Sequence, residues 1–440
     1  MAMATAINWK CAAVITACLL AACGGGTDLT KAQVRMVNAS AGYAQLDLRV
    51  DDQLRQGAVG YGAAESYVEV SPGKAASTIS SPSSATTLLS FTPSLSEKKY
   101  YTLLAYGPAG ALQYQQLDEN LGAPDTGRAL LRVVNAASDA GALDVYLSGP
   151  TDDLSNVVPV QTGVAYNSAG SVATLNSGTW RLRATAAGSK TDVRLDVPAV
   201  SLPSKQVATL VLTPSAGGIL VNALVLVQQG SITRQDTALA RVRLAAAVAD
   251  SGVVGARVGS TNLVTILGSG AVSASPSLDD YVLVPVGTSA PTVTVNGQAL
   301  SLPAKTLDPG RDYTFLVHGL ATAPLASWVD DDNRLPSNIA LVKLRLINAL
   351  ADTALPLAMT VDGRPVAGAV GVGTASAYTL VPPVAAGGTS GRLSVTATGV
   401  ATPVYTSPSQ TLTASGSYSV LVTGRQASVA GATGIVRQDR

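Results

Sequence analysis

Val34-Arg35-Met36-Val37-Asn38-Ala39 returns as Leu131-Arg132-Val133-Val134-Asn135-Ala136, as Val242-Arg243-Leu244-Ala245-Ala246-Ala247 and as Leu344-Arg345-Leu346-Ile347-Asn348-Ala349. The spacing is about 100 residues, which marks a tandem array of one structural unit. Each string is short, apolar and interrupted at the same place by arginine. Nine residues after the asparagine of the first two strings an acid stands inside an alternating run, Leu46-Asp47-Leu48-Arg49-Val50 and Leu143-Asp144-Val145-Tyr146-Leu147. The third and fourth strings have Gly255 and Leu357 there.

Two further landmarks repeat. A strand running into a turn recurs at Tyr67 to Gly73, Val172 to Gly178, Tyr281 to Gly287 and Tyr378 to Val384. Each unit then closes on a run such as Tyr101-Thr102-Leu103-Leu104-Ala105-Tyr106-Gly107, matched from Tyr313, from Tyr418 and, in the second unit, from Val207. Short strands bounded by Gly, Pro, Asn or Ser, in units of this size, predict an all-β chain of tandem immunoglobulin-like antiparallel β-sandwich domains. An all-parallel sheet would need crossover helices, and the sequence has no long stretch of helical periodicity to supply them. The expected boundaries are 32–126, 127–236, 237–338 and 339–440. The polar junctions around Asp118 to Gly127, Gln228 to Thr237 and Asp330 to Asn338 suit beads in a row with limited hinge motion.

Ahead of the repeats, Lys10 precedes an apolar stretch from Cys11 to Ala22 that is too short to span a bilayer. Leu20-Ala21-Ala22-Cys23 resembles the lipobox of bacterial lipoproteins, with small residues ahead of the cut and Gly24-Gly25-Gly26 after it as a flexible tether. The resemblance implies a signal peptide over 1–22, diacylglyceryl transfer to Cys23 and a lipidated tether over 23–31. By the Gram-negative sorting rule, a residue other than Asp after the cysteine implies a cell-envelope protein held at the outer membrane. Several acyl chains on one residue would make that anchor stable.

Without residues 1–22 the chain keeps 28 basic and 28 acidic residues. Phosphate-neutralising excess is absent, so no nucleic-acid partner is expected. Cys11 and Cys18 would leave with the signal and Cys23 would be consumed by lipid, so no disulfide is available. The single histidine, His318, would have to serve any Ser-His-Asp triad, and no G-x-S-x-G elbow occurs. It aligns with Tyr106, Leu212 and Thr423, which reads as a strand position. One histidine and no free thiol cannot assemble a typical zinc site.

The run Arg132-Val133-Val134-Asn135-Ala136, with Asp139-Ala140-Gly141-Ala142-Leu143-Asp144-Val145-Tyr146, resembles the opening of the bacterial domain-of-unknown-function family numbered 4397. That family is β-rich, exported and often tandem. The third unit departs from the pattern, lacking both the asparagine and the acid. The resemblance implies fold and compartment and no chemistry.

Catalytic residues and cofactors are therefore expected to be none. Acids cluster at Asp51-Asp52, Asp152-Asp153, Asp279-Asp280 and Asp330-Asp331-Asp332, of which the last could hold a calcium ion at a junction, although its spacing is not that of a helical calcium loop. Asp47 and Asp144 could pair with Arg35 and Arg132. Tyr101, Tyr313 and Tyr418 resemble tyrosine-corner positions. Seven of the 14 tyrosines fall in the first unit, and Tyr43, Tyr61 and Tyr114, outside the repeated positions, are the candidate patch for a protein or polysaccharide partner. The reading that follows is a non-enzymatic envelope lipoprotein that binds or displays such a partner. The alternatives are a structural spacer without ligand and a metal-assisted hydrolase.

Overall fold

The computed structural model describes residues 30–84, 86–250, 252–264, 272–387, 389–425 and 432–440. The expected signal peptide, Cys23 and most of the tether lie outside the described residues. Strands dominate, and the helical element among the described residues is the single 3-10 turn Leu154–Asn156.

The chain is all-β and made of tandem β-sandwiches. In the first, a sheet ordered Gln113–Asp118, Tyr100–Tyr106, Ala32–Asn38, Val68–Val70 faces a sheet ordered Gln53–Gly60, Gln45–Val50, Ser77–Ser80, Thr87–Phe91. The arrangement recurs three more times down the chain. Strict alternation builds these cores: in Gln45–Val50 the residues Leu46, Leu48 and Val50 are buried, while Asp47 and Arg49 between them are only partly covered. Each sandwich closes on its own apolar cluster, around Met36 and Leu48, around Val133 and Leu182, around Leu244 and Val293, and around Leu346 and Val395.

Among the described strands the antiparallel expectation has one exception in each sandwich. The first strand pairs in parallel with the closing strand, placing Val34 beside Tyr101, Leu131 beside Ala208, Val242 beside Tyr313 and Leu344 beside Tyr418. No crossover helix is needed, because the connection is the facing sheet itself. The register also shifts the match in the second unit by one residue. Arg35 lies beside Thr102 and Arg132 beside Thr209, so His318 corresponds to Thr213 and not to Leu212.

Beads in a row is not what forms. Every residue of Ala32–Asn38 and of Val342–Ala351 is buried, because these strands have apolar side chains on both faces, as in sheets covered on both sides. One face fills the strand's own sandwich. The other joins Val37, Ala39, Leu104, Tyr106 and Leu117 to Val134, Ala136, Val211, Leu224 and Leu226 of the next unit. A second bridging cluster joins Ala245, Ala247, Leu278 and Leu316 to Ile347, Ala349 and Leu421. The repeats therefore pack sheet against sheet in two pairs, first with second and third with fourth. The pairs themselves touch where Ser215 Oγ donates to the carbonyl of Gly310 at 2.8 Å and the Leu335 amide donates to Asp139 Oδ1 at 2.6 Å.

Leu346 and Leu421 are both wholly buried, the first inside its own sandwich and the second against the neighbouring repeat. Leu346→Ala and Leu421→Ala should each cost about 2–5 kcal/mol in chemical denaturation. A loss within about 0.5 kcal/mol for Leu421→Ala, typical of a surface site, would refute the pairing of the third and fourth repeats.

Candidate functional site

Strand geometry decides where the recurrent arginine goes. Arg345 shares a strand face with Ile347 and Ala349, and Arg243 shares one with Ala245 and Ala247, so both point out of their own sandwich into the seam between repeats. Both are essentially without solvent exposure, at 0% for Arg243 and 1% for Arg345. A guanidinium in such a place must be matched by anions and acceptors.

The match is reciprocal. Arg345 Nη2 donates to Asp331 Oδ1 at 2.6 Å, and Arg243 pairs with Asp439 of the fourth repeat. Each arginine also donates through Nε to a hydroxyl on the neighbouring closing strand, Arg345 to Ser419 at 2.9 Å and Arg243 to Thr314 at 2.8 Å. Those hydroxyls in turn donate hydrogen bonds to the acids, Thr314 to Asp331 and Ser419 to Asp439, both at 2.6 Å. Tyr281 and Tyr378 complete the cluster: their rings lie 4.7 and 4.6 Å from the guanidinium carbons of Arg243 and Arg345, and their hydroxyls donate to Asp331 and Asp439.

Burial pulls the Asp331 carboxyl upward, but Arg345 and Arg243 outweigh it and hold the group below the usual carboxylate range. Burial drives the phenols of Tyr281 and Tyr378 well above their ordinary value, so both remain hydrogen-bond donors. Arg243 and Arg345 thus meet Asp331 and Asp439 in one buried cluster.

The first pair of repeats carries half of this device. Arg35 is gripped by both Glu119 oxygens at 3.0 and 3.1 Å and by Thr102 Oγ1 at 2.9 Å, and it reaches across to the carbonyls of Val227 and Gly230 in the second repeat. Tyr67 lies over it, 4.8 Å from ring centre to guanidinium carbon, and donates to Glu119. Arg132, the counterpart in the second repeat, donates to Thr209 Oγ1 at 3.0 Å.

His318 lies on the same seam face, beside Ala247 and 4% exposed. The backbone of the fourth repeat closes over it at Gly373. That residue has φ +75°, and a Cβ there would come within 2.8 Å of His318 Nε2. Its Nδ1 is buried without a partner among the described residues. Burial lowers the imidazole pKa to about 4, so the ring is neutral near pH 7.

The residues singled out from sequence are not gathered into one place. The Tyr43 hydroxyl accepts from the Gly110 amide at 2.9 Å, and the Tyr61 hydroxyl donates to Thr213 of the second repeat at 3.1 Å with Arg234 over its ring. Tyr114 stacks on Phe91 with centroids 4.0 Å apart. Each has a separate packing role. Asp330, Asp331 and Asp332 alternate in direction along the chain and meet different cations, Asp330 with Lys305, Asp331 with Arg345, and Asp332 with both Arg334 and Lys343. Among the described residues no group of three His, Cys, Asp or Glu side chains converges for a metal.

Asp47 and Asp144 do not pair with Arg35 and Arg132, because those arginines face away from the opposite sheet. Asp47 accepts from the Ala58 amide at 2.7 Å, and Asp144 from the amides of Gly163 and Gly188 at 2.7 and 2.8 Å. The tyrosine corners do form. Tyr101, Tyr313 and Tyr418 each accept from the amide five residues upstream, at 3.2, 3.0 and 2.9 Å.

Residues 32–146 match the family model described as Domain of unknown function (DUF4397). No curated protein matches the chain. Among solved structures, a candidate cell-adhesion protein from Bacteroides ovatus is 11% identical, covers 49% of this chain and 100% of its own, and has a TM-score of 0.20. Another from Bacteroides uniformis is 14% identical over 48% of this chain and 99% of its own, with a TM-score of 0.20. A family-26 carbohydrate-binding module from Eubacterium rectale, solved with maltoheptaose, is 8% identical over 46% of this chain and 97% of its own, with a TM-score of 0.16. At these identities and scores, no ligand is inferred from the likeness.

Arg345→Met should cost about 3–5 kcal/mol, because Asp331 then keeps a buried charge with half its compensation, while Arg345→Met with Asp331→Leu should recover most of that loss. A double-mutant cycle with no coupling would refute the pairing. Because the folded imidazole titrates near 4 and the unfolded one near its ordinary 6.5, stability is complete above pH 6.5 and declines as pH falls toward 4. Denaturation midpoints between pH 6.5 and 5 should show a decline of up to one proton's worth in wild type that is missing in His318→Leu.

Proposed function

We propose, taking the match of residues 32–146 as premise, that the chain is a non-enzymatic cell-envelope lipoprotein. Cys23 carries the lipid, and four β-sandwich repeats over 32–126, 127–236, 237–338 and 339–440 present a surface to a protein or polysaccharide partner. The observation that carries this reading is the sheet-to-sheet pairing of repeats, which turns hundred-residue units into two stiff bodies. A stiff body on a lipid tether suits presentation, because loops at the sandwich ends can vary without loss of the core. Outer-membrane attachment belongs to the same proposal. Among the described residues no helix is long and apolar enough to cross a membrane, and the proposed attachment is through lipid.

The spacer reading is favoured by one observation. Tyr43, Tyr61 and Tyr114 are engaged in intramolecular contacts, so they do not form one exposed aromatic patch. A hydrolase reading has no support from Asp330, Asp331 and Asp332, which are separately paired.

Metabolic labelling with a clickable fatty acid, followed by membrane fractionation, tests the anchor. Wild type should be labelled and sediment with membranes, and Cys23→Ala should be unlabelled and released. Equal sedimentation of the two, with no label in either, would end the lipoprotein reading.

A further inference from the structure

The four repeats carry the same cation with unequal compensation. In three of them the arginine of the first strand meets a hydroxyl, a carboxylate and a tyrosine: Arg35 with Thr102, Glu119 and Tyr67, and Arg243 and Arg345 with Thr314, Ser419, Asp331, Asp439, Tyr281 and Tyr378. Backbone register identifies the acid position, since Glu119 and Asp439 donate their amides to the carbonyl two residues before the hydroxyl, at Tyr100 and Ser417. In the second repeat the residue with that bond, from its amide to Val207, is Gln228. The side chain of Gln228 is turned to the backbone of Leu121. The tyrosine position, one residue ahead of the strand partner of Leu131, is Val172, which is 40% exposed.

Arg132 therefore keeps the hydroxyl and has lost both the acid and the ring. Its Nε is buried with no partner among the described residues. Burial depresses its pKa, and the acids that offset this are Glu119, already gripped by Arg35, and Asp118. Around the recurrent arginines the third and fourth repeats place Asp331 and Asp439 for Arg345 and Arg243, whereas the first and second place Glu119 for Arg35 and Arg132. Arg132 is half-buried, and a partly desolvated cation short of its anion is a place where an external anion gains.

We infer that Arg132, Thr209 and the exposed Val172, which stands where the other repeats have tyrosine, form a binding site for a single carboxylate, which takes the place that Glu119, Asp331 and Asp439 hold in the other repeats. The site requires no lipid anchor, so it stands or falls separately from the envelope reading.

Acetate is the probe, compared with chloride at equal ionic strength and pH 7 on the full chain. Wild type should melt about 2–4 °C higher in acetate, as expected for a weak ligand well above its dissociation constant. Arg132→Gln should lose that increment. Val172→Glu, an exposed change that tethers a carboxylate opposite Arg132, should melt at or above wild type in chloride and show no acetate response. An equal acetate increment in wild type and Arg132→Gln, no increment in wild type, or an increment that persists in Val172→Glu would each overturn the assignment.

Discussion

The structure depends on a strand that is covered on both faces and carries a recurrent guanidinium. Ala32–Asn38 and its counterparts contribute Val, Leu and Met to their own sandwich, and Val, Ala and Ile to the neighbour. The arginine sits on the neighbour's side, so no repeat can bury its first strand alone, and in the third and fourth repeats the cation too finds its closest acid across the seam. Pairing is the solution. In the third and fourth repeats it is symmetric, each repeat supplying the acid that the other's arginine needs.

Burial of apolar area supplies most of the attraction across the seam, since a buried ion pair largely offsets its own desolvation cost. What the ions add is position. A face built from Ala, Val, Leu and Ile would lose little by sliding two residues along the strand, because the pleat would again present apolar side chains. Arg345 can reach Asp331 while Arg243 reaches Asp439 in one register only, and the bonds to Thr314 and Ser419 hold both guanidiniums by a second nitrogen. Closure of the Gly373 backbone over neutral His318 is a further feature that a displaced register would forfeit.

Much of this was legible in the residues, and the rest was hidden for definable reasons. Alternation in Leu46-Asp47-Leu48, the turn residues and the recurrence of arginine gave the sandwiches and their number, and Tyr101, Tyr313 and Tyr418 gave the corners. The pairing of repeats had a signal, the lack of alternation in strings such as Val242 to Ala247, but such a run fits equally a strand covered within a single domain. The acids could not be matched to the arginines by local pattern. Glu119 lies 84 residues beyond Arg35, and Asp439 lies 196 beyond Arg243 in a different repeat. Asp47 and Asp144, nearer in sequence to the arginines, are on the wrong sheet. Register alone showed that the match of the second unit needed moving by one residue, because Val207 and Tyr101 look alike as strand starts while only the hydroxyl partner of arginine separates them.

Because the first sheets are spent on each other, differences among the repeats are freest on the second sheets and at the loop ends, and the second repeat uses that freedom most. On the outward side of its facing sheet Tyr146, Arg183 and Thr185 are buried, at 1%, 6% and 0%, where the first repeat leaves Asp47 and Arg49 partly open. The cover is the segment 149–160, in place of the short Asp51-Asp52 turn. It takes a bond from Arg183 at the carbonyl of Asp152, 2.9 Å, and from Lys190 at the carbonyls of Ser155 and Val157, 2.7 and 2.8 Å. Arg181 on the same strand is neutralised bidentately by Asp196, whose amide in turn donates to Thr237 Oγ1 at 3.2 Å, at the junction to the third repeat. The second repeat is thus modified on both sheets, with a strapped outer face and an under-compensated arginine at its seam. A tandem array assembled from near-equivalent units has in this repeat departed from the symmetric pairing of the third and fourth, and a unit relieved of symmetric pairing is the one in which a binding role can be added at least cost to the fold.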